Sequence, residues 1–278
     1  MMNKTAKLSS LLQIPSYKKL GALFISTLII LTTLSFTHHA TATSSNATVA
    51  TTPATIDKHI PVIFTAHYKA NIKGFAVKAS RELKVLESGQ FALSFNATSW
   101  AAEVEETSIF NWKNGKIQPI SYRYFQTAFG KKKEQKLAFN NTDNTIDSDN
   151  NGEQQLITQT SHTLDKLNYQ LQLQQDLLAH HSGFEYIIAD KGNLKNYRFE
   201  ILGEETIDTH SGSLDTVKVK VIRENKEKTT YIWFAKDWNN LLAKLEQYKG
   251  DKQTLAIQLD TATVNNISVK GSQAKSAN

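Results

Sequence analysis

The sequence contains no cysteine. That excludes disulfides, thiol catalysis, iron–sulfur clusters and every zinc site that needs thiolate. It also excludes a lipoprotein anchor, whose lipid is carried on a cysteine. No Gly-x-Ser-x-Gly, His-Glu-x-x-His, Walker loop or dinucleotide fingerprint occurs, so the common motifs of hydrolase, metalloprotease and nucleotide chemistry are missing. No internal repeat of solenoid length is visible. A hydrophobic content of 40% with 21% charged residues is too apolar for a wholly disordered chain, and 278 residues suffice for a real core.

Acidic residues are absent before Asp57, and the formal charge of +6 has its origin there. Lys4, Lys7, Lys18 and Lys19 precede an apolar stretch from Leu20 to Phe36, followed by Ala40-Thr41-Ala42. This is the order of a secretory signal peptide with cleavage after Ala42. Left uncut, residues 20–36 approach the roughly 20 apolar residues of a spanning anchor. Removing residues 1–42 takes away four lysines and no acid, leaving 28 basic against 26 acidic residues, or +2. So small an excess has no electrostatic footprint for a polyanion, and nucleic acid is excluded as a partner. The expected location is extracytoplasmic, meaning the periplasm in a Gram-negative bacterium. Residues 43–60 and 271–278 are small, polar and aperiodic, and are expected to be a disordered leader and tail around one domain, residues 61–270.

Within that domain the hydrophobic period is two. Phe91, Leu93 and Phe95 alternate with Ala92, Ser94 and Asn96, and Val217, Val219 and Val221 alternate with Lys218 and Lys220. Asn114-Gly115 between two β-rich runs is a strong hairpin signal, because both residues tolerate the positive φ of a type I′ turn. Turns at Ser88-Gly89, Gly130-Lys131, Lys191-Gly192, Ser211-Gly212 and Gly250-Asp251 leave no room for βαβ crossovers, so the strands are expected to be antiparallel. Residues 140–152 read as a flexible loop. One helix is expected over residues 163–181, with Leu164, Leu167, Leu171 and Leu178 on one stripe, Thr163 as N-cap and Gly183 ending it. Asn239 to Tyr248 has helical propensity but the context of a hairpin arm, and is assigned as strand.

The ordered segments Glu106-Thr107-Ser108-Ile109-Phe110, Asn114-Gly115-Lys116-Ile117-Gln118-Pro119, Leu164-Asp165-Lys166-Leu167-Asn168-Tyr169 and Ile232-Trp233-Phe234-Ala235-Lys236-Asp237 resemble the bacterial domain of unknown function 3108 family. The likeness covers nearly all of residues 61–262. It implies an exported, largely antiparallel β fold and no established reaction, so no catalytic residue is transferred.

Several constellations could carry chemistry. Asp147-x-Asp149-x-Asn151-Gly152 opens like a calcium loop, but Thr158 stands where the bidentate glutamate belongs. His180-His181 closes the helix, where an imidazole can meet the last carbonyls; adjacent helical histidines point about 100° apart and chelate poorly. No metal or other cofactor is expected. Asp208-Thr209-His210-Ser211 has the letters of a triad, yet consecutive strand residues face opposite sides, and a turn before Gly212 fits better. The acids Glu103, Glu105, Glu106, Glu204 and Glu205 read as solvated strand faces. Trp112 and Trp233 read as core, while Trp100 and Trp238 carry no preference between core and a sugar- or lipid-binding surface.

About a dozen strands exceed what an open twisted sheet carries without curling, so the expected architecture is mainly β: an antiparallel barrel or strongly curved half-barrel with the helix packed against or inside it. The expected function is non-enzymatic binding of a lipid or other apolar or amphipathic ligand, faced by Leu164, Leu167, Leu171 and Leu178. The alternatives are an interaction module with a solid core and an envelope protein partner, and a hydrolase with an unrecognised site.

Overall fold

The computed structural model describes residues 60–72, 75–159, 162–181, 183–223 and 228–272. The expected secretory segment, the leader as far as residue 59 and the tail from residue 273 lie outside them; Gly271 and Ser272, expected to begin the disordered tail, instead pair with Ser211 and Ser213 through backbone hydrogen bonds.

Sixteen strands are formed among the described residues. The first eight are β1 (Phe64–Ile72), β2 (Phe75–Val85), β3 (Phe91–Thr98), β4 (Ala102–Lys113), β5 (Lys116–Ala128), β6 (Lys131–Asn140), β7 (Thr145–Asn150) and β8 (Glu153–Thr158). The short strand β9 (Thr163–Leu164) then leads into helix α1 (Asn168–Leu178). The second run is β10 (Phe184–Asp190), β11 (Asn193–Thr209), β12 (Gly212–Arg223), β13 (Thr229–Ala235), β14 (Leu241–Lys249), β15 (Lys252–Val264) and β16 (Ile267–Ser268).

Each run is an up-and-down meander, and the two join where β1 pairs with β15. The sheet therefore has its free edges at the middle of the chain, β8 on one side and β9 on the other. Those edges do not pair, so no barrel is closed by a ladder. Instead the sheet curls into a half-barrel and its ends are tied by side chains. His162 Nε2 meets the Ile117 carbonyl, and the Gln135 amide, turned so that its O and N exchange places, donates to Asp190 Oδ1 at 3.2 Å and accepts the Lys191 N–H at 2.8 Å.

The turns follow the expected chemistry. Asn114-Gly115, Asn151-Gly152 and Lys191-Gly192 each place two successive residues at positive φ, as type I′ turns require. Period-two alternation then turns Phe64, Ala66 and Tyr68 of β1, Ala79 and Leu83 of β2, and Phe91 and Leu93 of β3 toward the same buried interior.

The helix differs from its expected span of 163–181. Thr163 and Leu164 pair in parallel with Ile187 and Ile188, so they belong to the sheet and Thr163 is no cap. The start is set by Asp165, whose Oδ1 accepts the backbone N–H of Leu167 and of Asn168, while Asn168 Oδ1 accepts the Asp165 N–H. This reciprocal pair has the logic of a capping box. At the other end the His181 N–H reaches the Asp176 carbonyl and the His180 N–H that of Leu177. That is a Schellman closure, with His180 at φ 52° in the position glycine usually holds. Backbone, not imidazole, meets the last carbonyls, and the helix stops short of Gly183.

Helix α1 is buried on nearly every side, so its glutamines need partners. Gln172 donates to the Gly115 carbonyl and accepts the Ile117 N–H, and Gln174 donates to the Asn239 carbonyl. These bonds seat the helix between the β4–β5 turn and the β13–β14 connection. The Asn140–Asn151 run, expected as a flexible loop, instead holds a tight turn and strand β7, because Ile146 and Ser148 take the inward register opposite Phe139 and Leu137. The ambiguous segment at 239–248 is strand β14, as its hairpin context required.

Candidate functional site

Helix α1 fills only part of the half-barrel. Its first turn is held at mid-height on β4, where Ser108 donates to Asp165 Oδ2 at 2.6 Å and accepts from Asn168 Nδ2. From there it runs toward the Gly115 turn, leaving the opposite half of the interior to side chains. A cavity of about 150 Å³ remains there, between the helix start and strands β1 to β4, β14 and β15. Phe95, Leu167, Leu242, Leu245, Leu255 and Ile257 supply its apolar wall; Tyr68, Arg81, Glu106, Lys166 and Gln170 supply its polar one.

Arg81 is the anomaly in this wall. It sits in the inward register of β2 between Ala79 and Leu83, is only 3% exposed, and none of its three guanidinium nitrogens has a hydrogen-bond partner among the described residues. Its Cζ lies 5.8 Å from the centroid of the Phe64 ring. Burial holds the Arg81 pKa below the ordinary arginine value, with opposing attraction from Tyr68, Tyr169 and Glu106. Native proteins rarely leave such a group unpaired, because every orphaned donor carries its full desolvation cost.

The neighbouring charges are paired. Tyr122 donates to Glu106 Oε2 at 2.7 Å, and burial raises the Glu106 pKa against the pull of that bond, Lys166 and Arg81. Lys166 Nζ lies 3.4 Å from Asp190 Oδ1 and 4.7 Å from the Tyr124 ring centre, and Lys195 reaches Asp190 Oδ2. Burial would raise the Asp190 pKa, but Lys166 and Lys195 outweigh it and hold it low. Of the residues that line the cavity, two cations, Arg81 and Lys166, thus face one carboxylate, Glu106, which burial biases toward its neutral form. The balance at this wall is positive.

The residues singled out from sequence fall in different places. Leu167 lines the cavity. Leu164 belongs to β9 and packs with Leu171 in the core, while Leu178 is half-buried. Glu103 and Glu105 are solvated as expected, but Glu106 is not, since alternation along β4 turns it inward with Val104 and Ser108. Asp149 accepts the Gly152 N–H and Asn151 accepts the Glu134 N–H, so the calcium-like run is a hairpin turn. Among the described residues no cluster of three or more His, Asp or Glu is placed to hold a metal ion. In the tetrad at 208–211, Ser213 donates to Asp208 and Ser211 to the Asp260 carbonyl, which separates the three triad letters. Trp233 is buried, but under Lys218 and Lys244 rather than in the interior.

Arg81, Lys166 and Asp190 were missed. A signal for Arg81 exists: a cation in the apolar register of the alternating run Val77, Ala79, Arg81, Leu83. A second and larger hollow, about 860 Å³, lies against the outer face of β4 to β8 around Thr107, Arg123, Lys136, Asp147 and Leu156. It is an open saddle whose charged groups meet water, and no unpaired buried cation faces it.

The family described as a protein of unknown function (DUF3108) matches residues 63–255. No curated protein matches the chain. Among solved structures, a β-barrel-like protein of domain of unknown function DUF1849 from Brucella abortus aligns over 73% of this chain and 98% of its own, with 8% identity and a TM-score of 0.51. The crystal structure of MucB aligns over 77% of this chain and 55% of its own, with 9% identity and a TM-score of 0.32. The first likeness supports a β-barrel-like fold and nothing more specific.

Proposed function

The chain belongs to the DUF3108 family of proteins of unknown function, and from its half-filled interior we propose that it is an extracytoplasmic, non-catalytic binder of an amphipathic anion. The observation that carries this reading is the unpaired, buried guanidinium of Arg81 in the wall of an otherwise largely apolar cavity. A carboxylate or phosphate head would supply the acceptors that Arg81 lacks, and a bidentate fork is the geometry guanidinium offers best. Leu167, Phe95 and Ile257 would hold the apolar part. Apolar cavities of about 150 Å³ take a body the size of benzene, so the enclosed portion, head group included, is on the order of that size and the rest of a longer chain lies outside it. Support for the location is the run of basic, apolar and small residues up to Ala42. Among the described residues no helix is long and apolar enough to cross a membrane.

Titration of the full chain with hexanoate and with hexanol tests the proposal, read by calorimetry and native mass spectrometry. Hexanoate is expected to bind at least about tenfold tighter, since hydrogen bonds to charged groups contribute about 1.5–3 kcal/mol. The difference should vanish in Arg81→Met. Equal affinity for the two, or no binding of either, overturns the reading.

A further inference from the structure

The hairpins alternate in direction, so the β1–β2, β3–β4 and β5–β6 turns share one rim of the sheet. Each presents an aromatic side chain there: Phe75, Trp100 and Phe129, exposed by 47%, 79% and 71%. They form one cluster, with Trp100 packed edge-on against both Phe75 (centroids 6.1 Å apart) and Phe129 (6.0 Å). The platform is fixed by the backbone, because the Phe129 N–H donates to the Ala101 carbonyl and ties the two turns together.

Two further observations say that this cluster is more than stray apolar surface. Phe129 sits at φ 49° and Gly130 at 75°, a type I′ turn whose first position the chain elsewhere fills with the polar residues Asn114, Asn151 and Lys191. A bulky residue in the left-handed region is strained, and such strain is characteristic of positions kept for function. Directly after the turn come Lys131, Lys132 and Lys133, all exposed, with Glu103 as the carboxylate in register with Lys132 across β5.

We propose that this rim docks the domain on an anionic lipid bilayer, with Trp100, Phe75 and Phe129 at headgroup depth and the three lysines over the lipid charge. Aromatic side chains favour that depth, and each lysine near an anionic surface adds about 1 kcal/mol. The lysines beside the aromatics favour a charged bilayer over an apolar groove on a protein. The inference is independent of the interior ligand.

The test is tryptophan quenching by vesicles with brominated acyl chains, made of phosphatidylcholine alone or mixed with phosphatidylglycerol. One full-length variant (Trp112→Phe, Trp233→Phe, Trp238→Phe) keeps only Trp100. A second (Trp100→Phe, Trp112→Phe, Trp233→Phe) keeps only Trp238, on the opposite rim. The readout is local to each ring, so attachment through residues 20–36 does not mimic it. Trp100 should be quenched on the anionic vesicles and Trp238 should not. Replacing Lys131, Lys132 and Lys133 by Gln should lower the vesicle affinity read from the quenching titration by about fivefold per lysine. In the otherwise native chain, which does not depend on the multiple variants folding, Phe129→Asn should raise the melting temperature and lower the quenching. Trp100 quenched no more than Trp238, or equal quenching without phosphatidylglycerol, overturns the proposal. So does a self-associated form, seen by sedimentation, that Phe129→Asn dissolves, which assigns the rim to a second copy.

Discussion

Replacing Arg81 by methionine should stabilise the unliganded protein. The guanidinium is buried with no hydrogen-bond partner among the described residues, and each buried donor left unsatisfied costs about 1–3 kcal/mol. Against this stand one cation–π contact with Phe64, of about 0.5–2 kcal/mol, and a longer-range attraction to Glu106. Methionine is unbranched like arginine, has no donors, and would lie among Phe95, Leu245, Leu255 and Ile257. Removing buried ionic groups in favour of apolar ones is often stabilising by about 1–4 kcal/mol, and we expect a gain within that range. Urea denaturation of both proteins without ligand reads it as a shift in midpoint at unchanged slope. For a domain of this size each kcal/mol is also about 2–4 °C of melting temperature. The same variant should lose its preference for hexanoate over hexanol, so stability and binding move in opposite directions. A loss of more than about 1 kcal/mol in the unliganded variant would refute the reasoning, because it would mean that the protein itself satisfies Arg81.

Three other outcomes follow from the packing. Burial pushes the Asp165 carboxyl up to about 7 against the bonds from Ser108, Asn168 and Leu167, so the fold favours its neutral form; stability from this group is full below about pH 4 and is lost as pH rises toward 7. The ceiling of that loss is about 4 kcal/mol, and denaturation midpoints for Asp165→Asn should change less between pH 4.5 and 7.5 (on the order of that range) than those of the native chain; parallel profiles would contradict this. Leu171 is fully buried on the face of α1 that meets the sheet, so Leu171→Ala should cost about 2–5 kcal/mol in urea, and a cost under about 1 kcal/mol would mean that the helix is not part of the core. His180→Gly should gain about 1 kcal/mol by relieving a side chain from the left-handed region, measured as a rise in melting temperature; a fall would show that the imidazole itself holds the helix end.

The strands were legible because alternation and turn chemistry are local. Asn114-Gly115 and the run Phe91, Leu93, Phe95 need no partner to declare a hairpin and an inward face. Even in Asn239 to Tyr248, whose residues prefer helix, the turn beside it points to strand, and β14 takes up the segment from Leu241 on. The helix bounds were less legible. Thr163 and Leu164 continue the leucine stripe but are taken by β10, and the cap is Asp165 with Asn168, a pairing that only the chain's path reveals. The glutamines read as helix formers, although in the folded chain Gln172 and Gln174 satisfy turns from distant parts of the sequence.

What the sequence determined by itself is the material: antiparallel hairpins, one amphipathic segment and no thiol chemistry; that Arg81 and Glu106 share the inward face with leucine is decided by the register of the folded strands. What only the tertiary structure decided is which space those faces enclose. Pairing β1 with β15 brings the first and last long strands of the described chain together and leaves the opening between β8 and β9, where α1 is drawn in and occupies one half of the interior. Among the described residues Arg81 is left without acceptors in the other half, because the partners of a buried charge are chosen by the fold and not by its neighbours along the chain.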